Sequence, residues 1–421
     1  MMCCNGPNHF MRLSNPLPTQ YPTEAESQPS RPAHLRQVNA RGLFRLLREH
    51  SPCSKADLVR LSGLSAPTVS SAVAYLESLD LVENLGDGES SGGRPPEMMR
   101  FNAAHGYVAG VDIGGTRLRM VLADLNGRIV TQWATQFTEK QRTPKAVCTL
   151  IHDGLKVMCH EASTPLRRVL HVTVGAPGIT NVDSGVVLSA PNLMDWTDVP
   201  LRTMMERELG IPAIVENDTN LAAVGEHWRG SAEGVEDFIF IALGTGVGAG
   251  IFLRGRLHHG ANWSAGEIGY SGVRGRQRQP LAVHEPGDLE QSIGGLGIEA
   301  EWQRLLVREH RTDVGELSKL RATEVFDLSV DGDRLAGEVV HHTAQTLADC
   351  IVDLALALDP EVVILGGGVG SHPELCRSTA KLLARNEFAK PQVRSSSLGT
   401  QAQLHGAISL SLSATEARLL A

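Results

Sequence analysis

From about residue 35 onward, apolar positions recur with helical spacing. Leu35, Val38, Leu43, Leu46 and Leu47 share one side of a helix predicted over 35–49. Two shorter helices follow within 51–82, joined at Ser62-Gly63-Leu64, where Gly63 can turn left-handed without a Cβ clash. Ser65 caps the second of these helices, with Pro67 in its first turn. Val69, Ala72, Val73 and Leu76 then recur at i, i+3, i+4 and i+7 as a buried stripe, and Thr68, Ser70, Ser71 and Tyr75 occupy the opposite face. At 81–85 and 97–101 the pattern turns to that of two short strands, a wing. Short polar side chains on a helix behind a tight turn suit base edges and phosphates. The pattern predicts a winged helix-turn-helix over 34–101 whose partner is a double-stranded DNA operator.

Beyond Tyr107 the texture becomes that of an α/β protein. An apolar strand over 107–113 meets the turn Gly114-Gly115-Thr116, a second strand follows at 118–122, and Asn126-Gly127 turns into a third at 129–133. A strand after the glycine turn excludes both a Rossmann and a P-loop site, which need a helix there. Further strands are predicted at 168–175, 211–215, 237–243 and 361–365, alternating with helices near 143–160, 201–210, 219–229, 334–358 and 374–386. This is a two-lobed body over 105–421, with one lobe at about 105–218 plus the C-terminal segment and the other at about 219–400.

The flanks and the charge refine this division. Residues 1–33 carry Pro7, Pro16, Pro18, Pro22, Pro29 and Pro32 among polar residues and read as a disordered tail. The wing tip contains Ser91-Gly92-Gly93-Arg94-Pro95; Arg94 on an extended backbone suits a narrow minor groove, and the same run also reads as a plain linker. The net charge of −8 is unevenly spread: residues 31–60 hold seven Arg or Lys against Glu49 and Asp57. A basic run is often just a solvated helix face; its place beside the helix-turn-helix favours phosphate contact. No apolar run reaches the roughly 18 residues of a membrane span. The seven cysteines, at 3, 4, 53, 148, 159, 350 and 376, form no C-x-x-C pair. The expectation is a cytoplasmic protein without membrane partners.

Candidate chemistry collects at strand ends. Three glycine-rich turns stand out: Asp112 to Thr116, Leu243 to Gly250, and Leu365 to Gly370. Bare backbone N–H groups in such turns can surround phosphate oxygens, although glycine clusters also simply end hairpins. Asn217-Asp218 closes a strand; Asp218 can accept a hydroxyl proton in phosphoryl transfer, or cap the helix that follows. Glu267 and Glu290 lie in glycine-flanked segments, and such carboxylates suit pairs of sugar hydroxyls.

These residues carry a resemblance. Ser91–Pro95, Asp112–Thr116, Gly175-Ala176-Pro177-Gly178, Glu216-Asn217-Asp218, the block 241–269 and Gly366–Gly370 together resemble the winged-helix repressor branch of the ROK family (repressors, open reading frames and sugar kinases) over roughly 35–415. The resemblance implies a hexokinase/actin-like fold with a sugar pocket between two lobes, and a homodimer or tetramer. It implies that Asn217, Asp218, Glu267 and Glu290 bind sugar hydroxyls, with Tyr270 beside them, and that Asp218 is the catalytic base in kinase members. Asp112, Gly114, Gly115, Thr116, Gly244, Thr245, Gly246, Gly366, Gly367 and Gly368 would hold ATP.

The departures matter too. Where most members place a histidine and three cysteines for zinc, this chain has Tyr270, Leu281, Val283 and Asp288. Leucine and valine cannot ligate zinc, and His258, His259 and His284 do not match a usual ligand spacing, so no zinc is expected. The leading expectation is a transcriptional regulator, not an enzyme, whose body senses a sugar, sugar phosphate or related metabolite. An ATP-dependent sugar kinase that keeps a DNA-binding domain is the alternative, and a constitutive DNA binder with a decayed pocket is a third.

Overall fold

The computed structural model describes residues 32–88, 95–190, 193–275, 285–309 and 314–420. Arg94, Leu281, Val283, His284 and most of the N-terminal tail lie outside the described residues.

The first helix, Pro32–His50, turns Ala40, Leu43, Phe44 and Leu47 into a core shared with the helices Lys55–Ser62 and Ala66–Ser78. Val38, expected on the inner face, is half exposed; Ala40 and Phe44 take that face instead, with Phe44 edge-on to Phe101 at 5.1 Å. Gly63 ends its helix at φ 67°, and Ser65 caps the next by accepting from the Thr68 N–H at 3.4 Å. The preceding helix carries a capping box not foreseen from the sequence: Asp57 accepts from Ser54 N at 2.9 Å while Ser54 Oγ accepts from Asp57 N at 3.2 Å. The wing strands Val82–Asp87 and Glu97–Phe101 pair antiparallel, and Cys53–Ser54 adds a short third strand beyond Glu97–Phe101.

The body is built twice from one plan. In the first half, Tyr107–Ile113, Arg117–Asp124 and Ile129–Gln136 form an antiparallel meander, and Val169–Ala176 and Ala213–Asn217 extend it in parallel on the other side. The second half repeats this order: Phe238–Leu243, Val247–Leu253 and Arg256–Leu257 meander, and Val362–Gly366 and Gln392–Ser395 add in parallel. The first two glycine turns therefore occupy equivalent corners, between the first and second strands of each half. Only Gly244 to Gly246 form the second turn; Gly248 and Gly250 belong to the next strand. The third run is not a hairpin turn, since Gly366 ends a strand and Gly367–Gly370 is one turn of helix.

Each half's fifth strand leads into a helix, Asp218–Arg229 and Ala402–Leu419, and these two helices cross at the junction. The crossing is close: a Cβ on Gly225 would lie 2.1 Å from Ala402 O, and one on Gly406 would lie 1.9 Å from Leu221 O. The C-terminal helix lies on the first-half sheet, where Ser411 Oγ meets Thr173 Oγ1 at 2.7 Å and Ala109 O at 3.2 Å.

The winged helix is not tethered by a linker. Only 102–106 separate the wing strand from the body strand, and 103–105 form a 3-10 turn. Leu81, Met99 and Phe101 of the head share one core with Val108, Val121, Ala123, Leu125, Ile408, Leu412 and Leu420 of the body. Each such side chain, fully buried, stabilises by roughly 1.5–3 kcal/mol, so the shared core outweighs any surface ion pair at the same seam.

Candidate functional site

The candidate DNA-reading face lies on the helix Ala66–Ser78. Ser70 and Ser71 are exposed on the second helix of the helix-turn-helix, free to approach a base. Thr68 has its hydroxyl 2.8 Å from Ser65 Oγ, and Tyr75 packs partly against the head's core. The basic residues behave differently from the sequence expectation. Glu416 of the C-terminal helix receives Arg45 at 2.9 Å and Arg48 at 4.0 Å, and Arg41 donates to Leu420 O at 3.4 Å. Arg41, Arg45 and Arg48 are thus directed at the body. Nearer the reading helix, Arg60 pairs with Asp57 at 2.7 Å, and Arg100 with Glu83 at 2.6 Å.

The second region lies at the ends of the strands. Asn217, not Asp218, caps the helix Asp218–Arg229: its Oδ1 accepts from Asn220 N at 2.9 Å while its Nδ2 donates to Gly178 O at 2.9 Å. One N–H and one lone pair of that amide stay available to a ligand. Asp218 is released from capping and becomes the first helical residue, where its Oδ1 accepts from Thr219 N at 2.7 Å. Burial, then the neighbouring Asp112 carboxylate and, less, Glu267, push its pKa up to about 7, against the bonds from Thr219.

Asp112, at the end of the strand before the first glycine turn, is buried and its Oδ2 accepts from Arg119 Nε at 2.9 Å and Nη2 at 2.6 Å. Burial raises its pKa, while Arg119 and Arg117 pull the other way. The carboxyl of Glu267 is raised by burial and by Glu290. Glu290 Oε2 accepts from Val247 N at 3.0 Å, directly after the second glycine turn, and a Cβ on Gly246 would lie 2.9 Å from the same oxygen. Burial, Glu267 and Glu290 also raise the Tyr270 phenol.

Asp112, Asp218, Glu267, Glu290 and Tyr270 therefore form one electrostatically linked set, drawn from both halves of the body. The glycine runs gather too: a Cβ on Gly367 would strike Leu243 O at 2.4 Å, so the third run abuts the strand that leads into Gly244. Thr116 and Thr245 stand exposed at the tips of equivalent turns. Such open turns could admit phosphate oxygens, but Oδ2 of the Asp112 carboxylate beside the first already accepts from Arg119.

Two residues of this region have contacts that the sequence did not predict. Glu216 is buried behind Asn217; its Oε1 accepts from Asn217 N at 2.8 Å and Asn220 Nδ2 at 2.9 Å, and its Oε2 lies 2.8 Å from His259 Nε2. The bond to Glu216 raises the His259 pKa. His259 is thus tied to a carboxylate that orients Asn217. The sequence marks His259 only as a zinc-ligand candidate and as part of the 241–269 block. Among the described residues no group of three or more His, Cys, Asp or Glu side chains is arranged to hold a metal ion. Among the same residues no helix is long and apolar enough to cross a membrane.

Known proteins share this architecture. Residues 108–414 match the ROK family. A glucokinase of Halalkalibacterium halodurans is 36% identical over 268 residues, covering 62% of this chain and 80% of that one. A xylose repressor of Caldicellulosiruptor bescii is 26% identical over 347 residues, covering 81% of this chain and 86% of the repressor. Among solved structures, a ROK family transcriptional regulator described as a homologue of E. coli MLC superposes with a TM-score of 0.76 at 22% identity, over 92% of this chain and 98% of that one. The glucokinase match, over 268 residues, is shorter than the body, whereas the superposition on the regulator covers 92% of the chain and so extends into the head.

Proposed function

Because the chain belongs to the ROK family, we propose that it is a DNA-binding transcriptional regulator whose body recognises a sugar or sugar phosphate. The observation that carries this reading is the shared core of head and body: Phe101, Val108, Leu412 and Leu420 pack together, so the DNA reader cannot move independently of the sugar-kinase-like fold. Repressors among its relatives support the same assignment. Ser70 and Ser71 face the bases, and Asn217, Asp218, Glu267 and Glu290, with Tyr270, take the sugar hydroxyls. An ionised carboxylate accepts from two hydroxyls at once, which suits a vicinal diol.

Regulation follows if the sugar prefers one arrangement of the two halves over the other; equal affinity for both would change nothing. In a homodimer, two heads would meet operator half-sites roughly 34 Å, one helical turn, apart. The test uses the full chain and a duplex from its own upstream region. Titration with D-xylose, D-glucose, N-acetylglucosamine and their phosphates is expected to find one that raises the melting temperature and changes DNA affinity. Asp218→Asn should abolish that response and keep DNA binding. No selective DNA binding by the parent chain would contradict the reading.

A second reading, a sugar kinase, is favoured by the Asp218 pKa of about 7, which suits a general base at neutral pH. The 36% identical glucokinase supports it as well. The Arg119–Asp112 pair weighs against it, because it engages Oδ2 of the carboxylate beside the first glycine turn. Sugar-dependent ADP formation that Asp218→Asn abolishes would decide for the kinase.

A further inference from the structure

We propose that Arg45 and Arg48 are positioning residues of the DNA-reading head, fastening it to the C-terminal helix instead of touching DNA phosphate. Both converge on Glu416, whose side chain is only 12% exposed, and Arg48 additionally lies over the Phe44 ring at 5.8 Å. One turn earlier on the same helix, Arg41 donates to Leu420 O. Glu416 is 371 residues from Arg45 in sequence, which makes this a tertiary seam and not a local ion pair. The helix that offers the acid is itself fixed to the first-half sheet through Ser411, Thr173 and Ala109 O. At its other end Arg119 bridges the buried Asp112 to Thr400 O and, at 3.5 Å, to Gln403 Oε1.

One helix of 18 residues, about 27 Å long, therefore runs from the carboxylate region to the head. Head, C-terminal helix and first-half sheet move as one body, and the second half meets that body at the Gly225–Gly406 crossing. A basic helix beside a DNA reader would ordinarily be assigned to phosphates; here its charge sets the angle at which the reader is held.

The test separates positioning from phosphate binding. Removing a side chain that neutralises a phosphate lowers the slope of log affinity against log salt by about one, whereas removing a positioning residue leaves it unchanged. The full chain would be compared with Arg45→Ala, Glu416→Ala and the double variant, using hydrogen exchange of amides 40–47 and salt titrations on a random-sequence duplex. Either single change is expected to speed head exchange about threefold, as suits one partly exposed pair. The double variant should add nothing further, and the slope should stay constant.

A slope reduced by Arg45→Ala, or head exchange indifferent to Glu416→Ala, would overturn the proposal. Glu416→Gln serves as the conservative check if the alanine variant folds poorly. This assignment rests on the head being the DNA reader. Failure of that reading would show as no selectivity between operator and random duplex, with the exchange result still standing.

Discussion

Asp218 stands among carboxylates, and burial, Asp112 and Glu267 hold its pKa at about 7, against 3.8 when unperturbed. Between those values the folded chain binds the extra proton, so this contribution to stability is full below about pH 4 and lost as pH rises through 7. Asp218→Asn removes the charge, and calorimetry should show it melting above the parent at pH 8, by up to about 4 kcal/mol at ~1.4 kcal/mol per unit. A lower melting point at pH 8 would contradict the placement of Asp218. If sugar hydroxyls need the ionised form, sugar affinity should rise about tenfold from pH 6 to pH 8. His259 has the same sign: its raised pKa makes the bond to Glu216 fully stabilising below about 6.5 and weaker as pH climbs past its folded value. His171, buried and pushed down to about 4, has the opposite sign, its contribution being lost as pH falls from 6.5 towards 4. His259→Ala should weaken sugar binding by about 1–3 kcal/mol by leaving Glu216 Oε2 without its imidazole partner, with DNA binding unchanged in the same titration. Asp218 was legible because an Asn-Asp pair at a strand end is a local pattern. The Glu216–His259 bond was not, because nothing local joins residues 43 apart.

Among the elements, the helix-turn-helix was legible almost to the residue, since Gly63, Ser65 and the Val69 stripe are local signals whose physics acts within one or two turns. The helix Ala402–Leu419 was missed. Its neighbours lie on several sides, so Leu404, Ala407, Ile408, Ser411 and Leu412 are all buried and no one-sided apolar stripe survives. The basic run on the first helix was read from its sign and its place beside the helix-turn-helix, whereas its partner, Glu416, lies in that missed helix. Gly225 and Gly406 sharpen the element-level prediction, because a methyl at either meets backbone and cannot be accommodated by a rotamer change. Gly225→Ala or Gly406→Ala should destabilise by at least about 2 kcal/mol in urea unfolding. Gly368→Ala, where nothing lies within 4 Å, should be near neutral. Equal effects at all three positions would mean that the helix crossing is looser than described.

At the scale of the whole molecule, a duplicated sheet order puts two glycine turns and two crossing helices in equivalent places, and the linked carboxylates come from both halves. The duplication lies in strand order, which becomes visible only once the strands are paired. The asymmetry that matters for function is the head: it joins the first half through a five-residue connection and the shared core, so any rearrangement of the halves also changes where the reader points. The most direct measurement is anisotropy of the full chain on its upstream duplex, titrated with the sugar panel in Mg-ATP while ADP is assayed in the same samples. One sugar is expected to shift DNA affinity at least tenfold, about 1.4 kcal/mol of coupling, without ADP formation. Steady sugar-dependent ADP production with DNA affinity unmoved would contradict a regulator whose body is its switch.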